Sequence, residues 1–217
     1  TVYAATSSTC SVACGRISFA LGLQGPCSAI DTACSSGIVA AHDCLRAVQN
    51  TECKTGLVVG INMIFSQWTS MMMATAGMTS PKGRCHTFDA RADGYARGEG
   101  IYAISLQASG DTTKPVMHGC AIQQDGKSAS LTAPNGQAQI QLMRAGMADA
   151  GTPPAELSCY EAHGTGTPLG DPIEVRSTKA AILAGRGDAE PLQIGSVKAN
   201  CGHGEPAAGV LGIIRLA

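Results

Sequence analysis

Strand-like apolar runs alternate with helix-compatible runs along most of this chain, with glycine-rich corners between them, and few architectures accept that order. The strand-like runs are 28–32, 56–63, 101–107, 116–122, 157–161 and 192–197, and the helix-like runs are 35–49, 137–150, 172–184 and 206–216. Such alternation predicts an α/β layered architecture. The third helix has Asp171 as its expected N-cap before Pro172 and Glu174. The fourth carries Pro206 in its first turn, where a missing N–H costs nothing. Charged residues make up 14% of the chain, the net charge is −1 and there are 27 glycines. This balance suits a substantial buried core and gives no support for a nucleic-acid partner. No apolar run approaches ~20 residues, so no membrane span is expected. The ten cysteines are scattered without C-x-x-C spacing. That pattern argues against a zinc site or a disulfide framework and for a reducing compartment.

One cysteine stands apart. Asp31-Thr32-Ala33-Cys34-Ser35-Ser36 puts Cys34 where a strand-like run hands over to a helix-like one. Unpaired N–H groups and the helix dipole at that junction favour a thiolate, so Cys34 is expected to ionise more readily than a free thiol. Its small neighbours leave room for a bulky substrate. Two histidines occupy comparable glycine-rich corners downstream, His163 in Glu161-Ala162-His163-Gly164-Thr165-Gly166-Thr167 and His203 in Lys198-Ala199-Asn200-Cys201-Gly202-His203. A histidine at a strand exit faces the crevice where α/β folds place ligands. A nucleophile-like cysteine with two such histidines is a candidate site for covalent catalysis.

These three segments, in this order, resemble the β-ketoacyl synthase family, most of all the ketosynthase domains of type I polyketide synthases and the related animal-type fatty acid synthases. Gly15-Arg16-Ile17-Ser18-Phe19, Gly25-Pro26, 88–95, Arg97-Gly98-Glu99-Gly100 and 131–136 add to the likeness, which runs from about residue 12 to the end. The resemblance implies a thiolase-like fold, layered α-β-α-β-α, in two mirrored halves. Residues 1–107 would belong to the N-terminal half, 108–115 to a hinge and 116–217 to the C-terminal half. It also implies a domain about twice this length, so the chain reads as an internal fragment truncated at both ends.

The implied chemistry is decarboxylative Claisen condensation. Cys34 would carry the acyl group, His163 and His203 would stabilise the enolate, and Lys198 would set their electrostatics. Thr165, Thr167 and Asn200 would bind the phosphopantetheine arm of an acyl carrier protein. No metal and no directly bound cofactor is implied. The implied partners are acyl carrier protein, a second copy in a homodimer and further polyketide synthase domains, in the cytoplasm or, in a eukaryotic source, a plastid. Asp93, Arg97 and Glu99 read as a polar brace under the site, and 71–73 with Met78 as packing or an acyl-channel wall. Gly37 and Gly204 stand where relatives often carry serine and threonine, and Pro206 where they carry a small residue. The alternatives are a non-decarboxylating thiolase-type enzyme, a non-catalytic ketosynthase-like partner and an inactive fragment.

Overall fold

The computed structural model describes residues 3–7, 9–111, 113–130 and 132–217. Thr112, inside the expected hinge, and Leu131, which opens the 131–136 motif, lie outside the described residues. The helices are α1 (Ala4–Ser7), α2 (Cys10–Leu21), α3 (Ser36–Gln49), α4 (Gln67–Thr75), α5 (Gly136–Ala150), α6 (Gly170–Ala181), α7 (Lys198–Cys201) and α8 (Ala208–Leu216). The strands are β1 (Thr55–Asn62), β2 (Gly100–Gln107), β3 (Cys159–Glu161) and β4 (Gln193–Gly195). β1 pairs antiparallel with β2, placing Val58 opposite Ile104 and Gly60 opposite Tyr102. β3 pairs in parallel with β4, placing Tyr160 opposite Ile194. No described helix is long and apolar enough to cross a membrane.

Period-2 alternation explains which face of the first sheet is inside. Val58 and Gly60 are buried, while Leu57 and Ile61 on the other face are 46% and 50% exposed. α3 and α8 pack against the inner face. Their meeting place is a small core of Ala41, Val58 and Val210, joined by Cys44, Tyr102, Ile104, Met117 and Ile213. Gly37 makes this crossing possible. A Cβ there would lie 3.0 Å from the Pro206 carbonyl oxygen and from Val210 Cγ2. Its lack of a side chain thus serves the α3–α8 contact more than it loosens the first turn of the helix.

Two expected strands are absent. Residues 28–32 and 116–122 have no regular structure, because neither finds a ladder partner among the described residues. An extended run becomes a strand only when a neighbour satisfies its N–H and C=O groups. α2 and α4 were not anticipated. Both lack buried residues, so no apolar stripe marks them. Local signals define them instead: Gly22 closes α2 in the left-handed conformation at φ 67, and the Ser66 hydroxyl caps the Trp68 N–H of α4. Asp171 is not the N-cap of α6. The helix starts at Gly170, and the Asp171 carboxylate turns back to the preceding loop. The methionines at 71, 72 and 78 are not core packing, being 59%, 47% and 45% exposed.

Candidate active site

The hexapeptide around Cys34 is held by its own polar side chains. Cys34 lies in a single 3-10 turn, Ala33–Ser35, directly before α3. Asp31 Oδ1 accepts the Ala33 N–H at 3.1 Å, and Ser36 Oγ accepts the Thr32 N–H at 2.9 Å while donating to the Ala33 carbonyl at 2.6 Å. Ser35 Oγ donates to the Thr32 carbonyl at 2.9 Å. These bonds hold Ala33 at φ +56, a conformation an alanine seldom adopts unaided. The Asp, Thr and Ser residues therefore set the angle at which the sulfur is presented.

His163 follows β3, and its loop hangs from a buried carboxylate. Glu174, on α6, accepts the backbone N–H of His163 at 2.7 Å, that of Gly164 at 2.8 Å and the Tyr160 hydroxyl at 3.1 Å. Asp171 accepts the N–H groups of Phe88, Gly166 and Thr167 at 2.8, 3.1 and 3.3 Å. One turn of α6 thus fixes the whole 163–167 loop. His203 is pinned from the other side: its N–H donates to the Ala96 carbonyl at 2.7 Å, and its carbonyl accepts the Gly98 N–H at 2.8 Å. Beside it Arg97 makes a two-pronged pair with Glu205 at 2.6 and 2.8 Å and donates to Ser70 at 2.8 Å. In the expected polar brace, then, the true partner of Arg97 is Glu205. Asp93 pairs instead with Ser80 and Lys82, and Glu99 accepts the Ile64 N–H.

These arms bring the three chemical groups together. Cys34 Sγ and one ring nitrogen from each of His163 and His203 lie within 4.8 Å of one another. The two imidazoles meet edge to face at 5.5 Å, and Tyr95 packs edge-on against His203 at 5.1 Å. Tyr95 escaped the sequence reading as a site residue, although the Asp93-Gly94-Tyr95 motif contained it. Lys198, the first residue of α7, is buried at 6% exposure, and His203 at 4%. Asn200 is exposed on α7. The Thr165 and Thr167 hydroxyls are 3.5 Å apart, and Thr167 Oγ1 also accepts the Gly170 N–H at 3.2 Å.

Burial dominates the electrostatics. It pushes His203 down to about 3, helped by His163 and Lys198, and His163 down to about 4, helped by Lys198. Both rings are neutral at pH 7. Burial also pulls the Lys198 ammonium below its ordinary value, against the pull of Glu161 and Glu174. At Cys34 the balance runs against the expected ease of ionisation. Desolvation raises its thiol, outweighing the backbone N–H and Lys198, which favour the thiolate. Cys34 and His163 can be reached by solvent, yet protein atoms crowd them from behind. The site thus holds a protonated thiol beside two neutral imidazoles, each able to accept a proton at one nitrogen and donate a hydrogen bond from the other.

Two family models cover the chain: β-ketoacyl synthase, N-terminal domain, at residues 1–111, and β-ketoacyl synthase, C-terminal domain, at 115–217. The chain belongs to the β-ketoacyl synthase family and has its thiolase-like fold. One component of the phenolphthiocerol/phthiocerol polyketide synthase of Mycobacterium tuberculosis is 43% identical over 211 residues, which is 94% of this chain and 11% of that protein. The spectinabilin polyketide synthase protein NorA' of Streptomyces orinoci is 42% identical over 94% of this chain and 6% of its own length. Among solved structures, an oxazolomycin ketosynthase domain from Streptomyces albus superposes with a TM-score of 0.92 at 32% identity, covering 97% of this chain and 37% of that one. The module 6 ketosynthase of the Bacillus subtilis bacillaene synthase gives 0.91 at 37% identity, over 96% and 38%. The chain therefore spans little more than a third of the solved ketosynthases it matches.

Proposed function

We propose that this chain carries the catalytic centre of a β-ketoacyl-carrier-protein synthase of the polyketide type. The observation that supports it is the convergence of Cys34, His163 and His203 within 4.8 Å, with Lys198 buried beside them. Cys34 attacks the thioester of an acyl group delivered on a phosphopantetheine arm. A neutral imidazole takes the thiol proton as the attack proceeds and hands it to the pantetheine sulfur as the old thioester bond breaks, so the ring is neutral again, while Lys198 with the local N–H stabilises the developing thiolate. A malonyl-type extender then loses carbon dioxide. The enolate oxygen so formed accepts hydrogen bonds from the neutral His163 and His203 rings. The enolate carbon attacks the Cys34 thioester, the C–S bond to Cys34 breaks, the β-ketoacyl product leaves on its carrier protein, and the Cys34 thiolate takes a proton from solvent.

Thr165, Thr167 and Asn200 are read as contacts for the pantetheine arm. Thr167 borders a groove of about 550 Å³ with Phe88, Pro168 and Val175, which supports that reading for Thr167. Acyl carrier protein and other polyketide synthase domains are the inferred partners, a homodimer the inferred assembly and a reducing compartment such as the cytoplasm the inferred location. Residues 1–107 and 116–217 are read as parts of the two halves joined through 108–115. A thiolase-type reaction would call for a second catalytic cysteine, and the pairing of His163 with His203 beside Cys34 favours the decarboxylating reaction. A non-catalytic partner would not need a nucleophile braced as Cys34 is.

The test is to incubate the full-length protein with an acyl-carrier-protein thioester and follow the Cys34 peptide by mass spectrometry, with Cys34→Ala alongside. Acyl mass on that peptide, absent in the variant, and β-ketoacyl product on adding malonyl-carrier protein are expected. A folded protein that takes up no acyl group overturns the reading in favour of a scaffold.

A further inference from the structure

A thiol and two imidazoles that converge from three separately braced segments form a donor set as well as a catalytic one. Cys34 Sγ and a ring nitrogen of each histidine already lie within 4.8 Å of one another. A tetrahedral zinc ion, with Zn–S near ~2.3 Å and Zn–N near ~2.0–2.1 Å, needs such donors roughly 3.3–3.6 Å apart. Closing from 4.8 Å to that spacing asks each of the three groups to move inward by about 1 Å. Three protein donors with one open side is the arrangement of an accessible zinc ion, not of a closed structural one. Thiolate with imidazole selects zinc, cobalt or copper over the oxygen-seeking magnesium and calcium. A second observation points the same way. His203 is 4% exposed, and its Nδ1 is buried without any hydrogen-bond partner, so no bond at that nitrogen has to break for the ring to turn toward an ion.

We propose that Cys34, His163 and His203 form a reversible, inhibitory binding site for a thiophilic divalent cation of the zinc class. On binding, the Cys34 S–H bond breaks, the proton passes to solvent and the sulfur donates its lone pair to the ion, with no change of oxidation state. The buried Lys198 ammonium repels the dication and keeps the site weaker than a dedicated zinc site. Scattered cysteine spacing hid the set, since its members lie far apart in sequence and the fold alone assembles them. An acylated Cys34 has no anionic sulfur to offer, so acyl group and metal compete for one atom. That last consequence rests on the ketosynthase reading, whereas the metal site itself does not.

The test uses the full-length, metal-stripped protein. Cobalt(II) titration should give a near-ultraviolet thiolate-to-cobalt band and the strong visible bands of a tetrahedral ion, and Cys34→Ser should lose one equivalent of both. Zinc should protect Cys34 from alkylation by iodoacetamide, read on its peptide by mass spectrometry, and a chelator should reverse the protection. The zinc concentration for half protection should rise roughly tenfold or more in His163→Ala and in His203→Ala, and should fall in Lys198→Met. Equal alkylation rates with and without zinc overturn the proposal, as does a cobalt spectrum unchanged by Cys34→Ser. Zinc protection in a protein that never acylates Cys34 supports the metal site while sinking the ketosynthase reading. Acylation without zinc protection does the reverse.

Discussion

Glu174→Gln is the sharpest test of how the His163 loop is held. The carboxylate is 6% exposed and accepts three hydrogen bonds, two at Oε1 and one at Oε2. An amide in the same rotamer can still accept the His163 N–H and the Tyr160 hydroxyl through its oxygen. Its NH₂ group, however, then faces the Gly164 N–H, donor against donor. The loss is one buried charge-assisted bond, about 1.5–3 kcal/mol, together with weakening of the other two. Taking about 3 kcal/mol in all, at about 1.4 kcal/mol per decade, the loop should open about 100-fold more often. Amide hydrogen exchange of peptides spanning 160–168 in the full-length protein reads this directly, with peptides from α3 as an internal reference. Condensation should fall with it, because His163 loses its fixed position. Unchanged exchange at 163–166 would refute the claim that this carboxylate holds the loop.

Arg97→Met breaks a pair whose side chains are only 11% and 16% exposed, at an expected cost of about 3–5 kcal/mol. Glu205→Gln in the same background should recover part of it, as measured by a double-mutant cycle in urea. Gly94→Ala should abolish soluble expression, since its φ is +133 and a Cβ would sit 2.6 Å from the Thr79 carbonyl carbon. The clash is with backbone, so a cost of about 3 kcal/mol or more is expected. Acid should also unfold the protein through His203. Its ordinary value is 6.5 and its folded value about 3, so between those limits the unfolded chain takes up a proton that the native ring refuses. Stability is then full above about pH 6.5 and is lost progressively as pH falls, by up to about 5 kcal/mol near pH 3. Urea midpoints should drop more steeply from pH 7 to 4 in the wild type than in His203→Gln.

The chemistry of this chain was more legible in its sequence than its frame was. Cys34, His163, His203 and Lys198 stand in motifs whose local composition singles them out, and the fold brings the first three within 4.8 Å of one another. Periodicity found β1, β2, α3 and α5 within a residue or so, helped by the alternating exposure along both strands and the buried stripe of α3. It overreached at 28–32 and 116–122, where apolar content mimics a strand but pairing decides. It passed over α2 and α4, whose surfaces carry no buried stripe. The partnership of Arg97 with Glu205 could not be read at all, since residues so far apart in sequence meet only through the fold. The raised Cys34 thiol has the same origin. Junction chemistry is local and visible, whereas desolvation comes from neighbours that the sequence does not identify.

The packing of α8 bears on how members of this family can be recombined. Val210 is fully buried in a core whose other members, Ala41 and Val58, come from α3 and β1. A gene fusion with its crossover at 108–115 would look safe, since that stretch has no helix or strand among the described residues. It would nonetheless pair an α8 from one parent with an α3 and β1 from another, at a contact where Gly37 leaves no room for a larger side chain. Chimeras cut there should therefore work only when residues 37, 41, 58 and 210 travel together. A designer who wants to exchange substrate preference would do better to graft surface loops and leave both halves of this crossing from one parent.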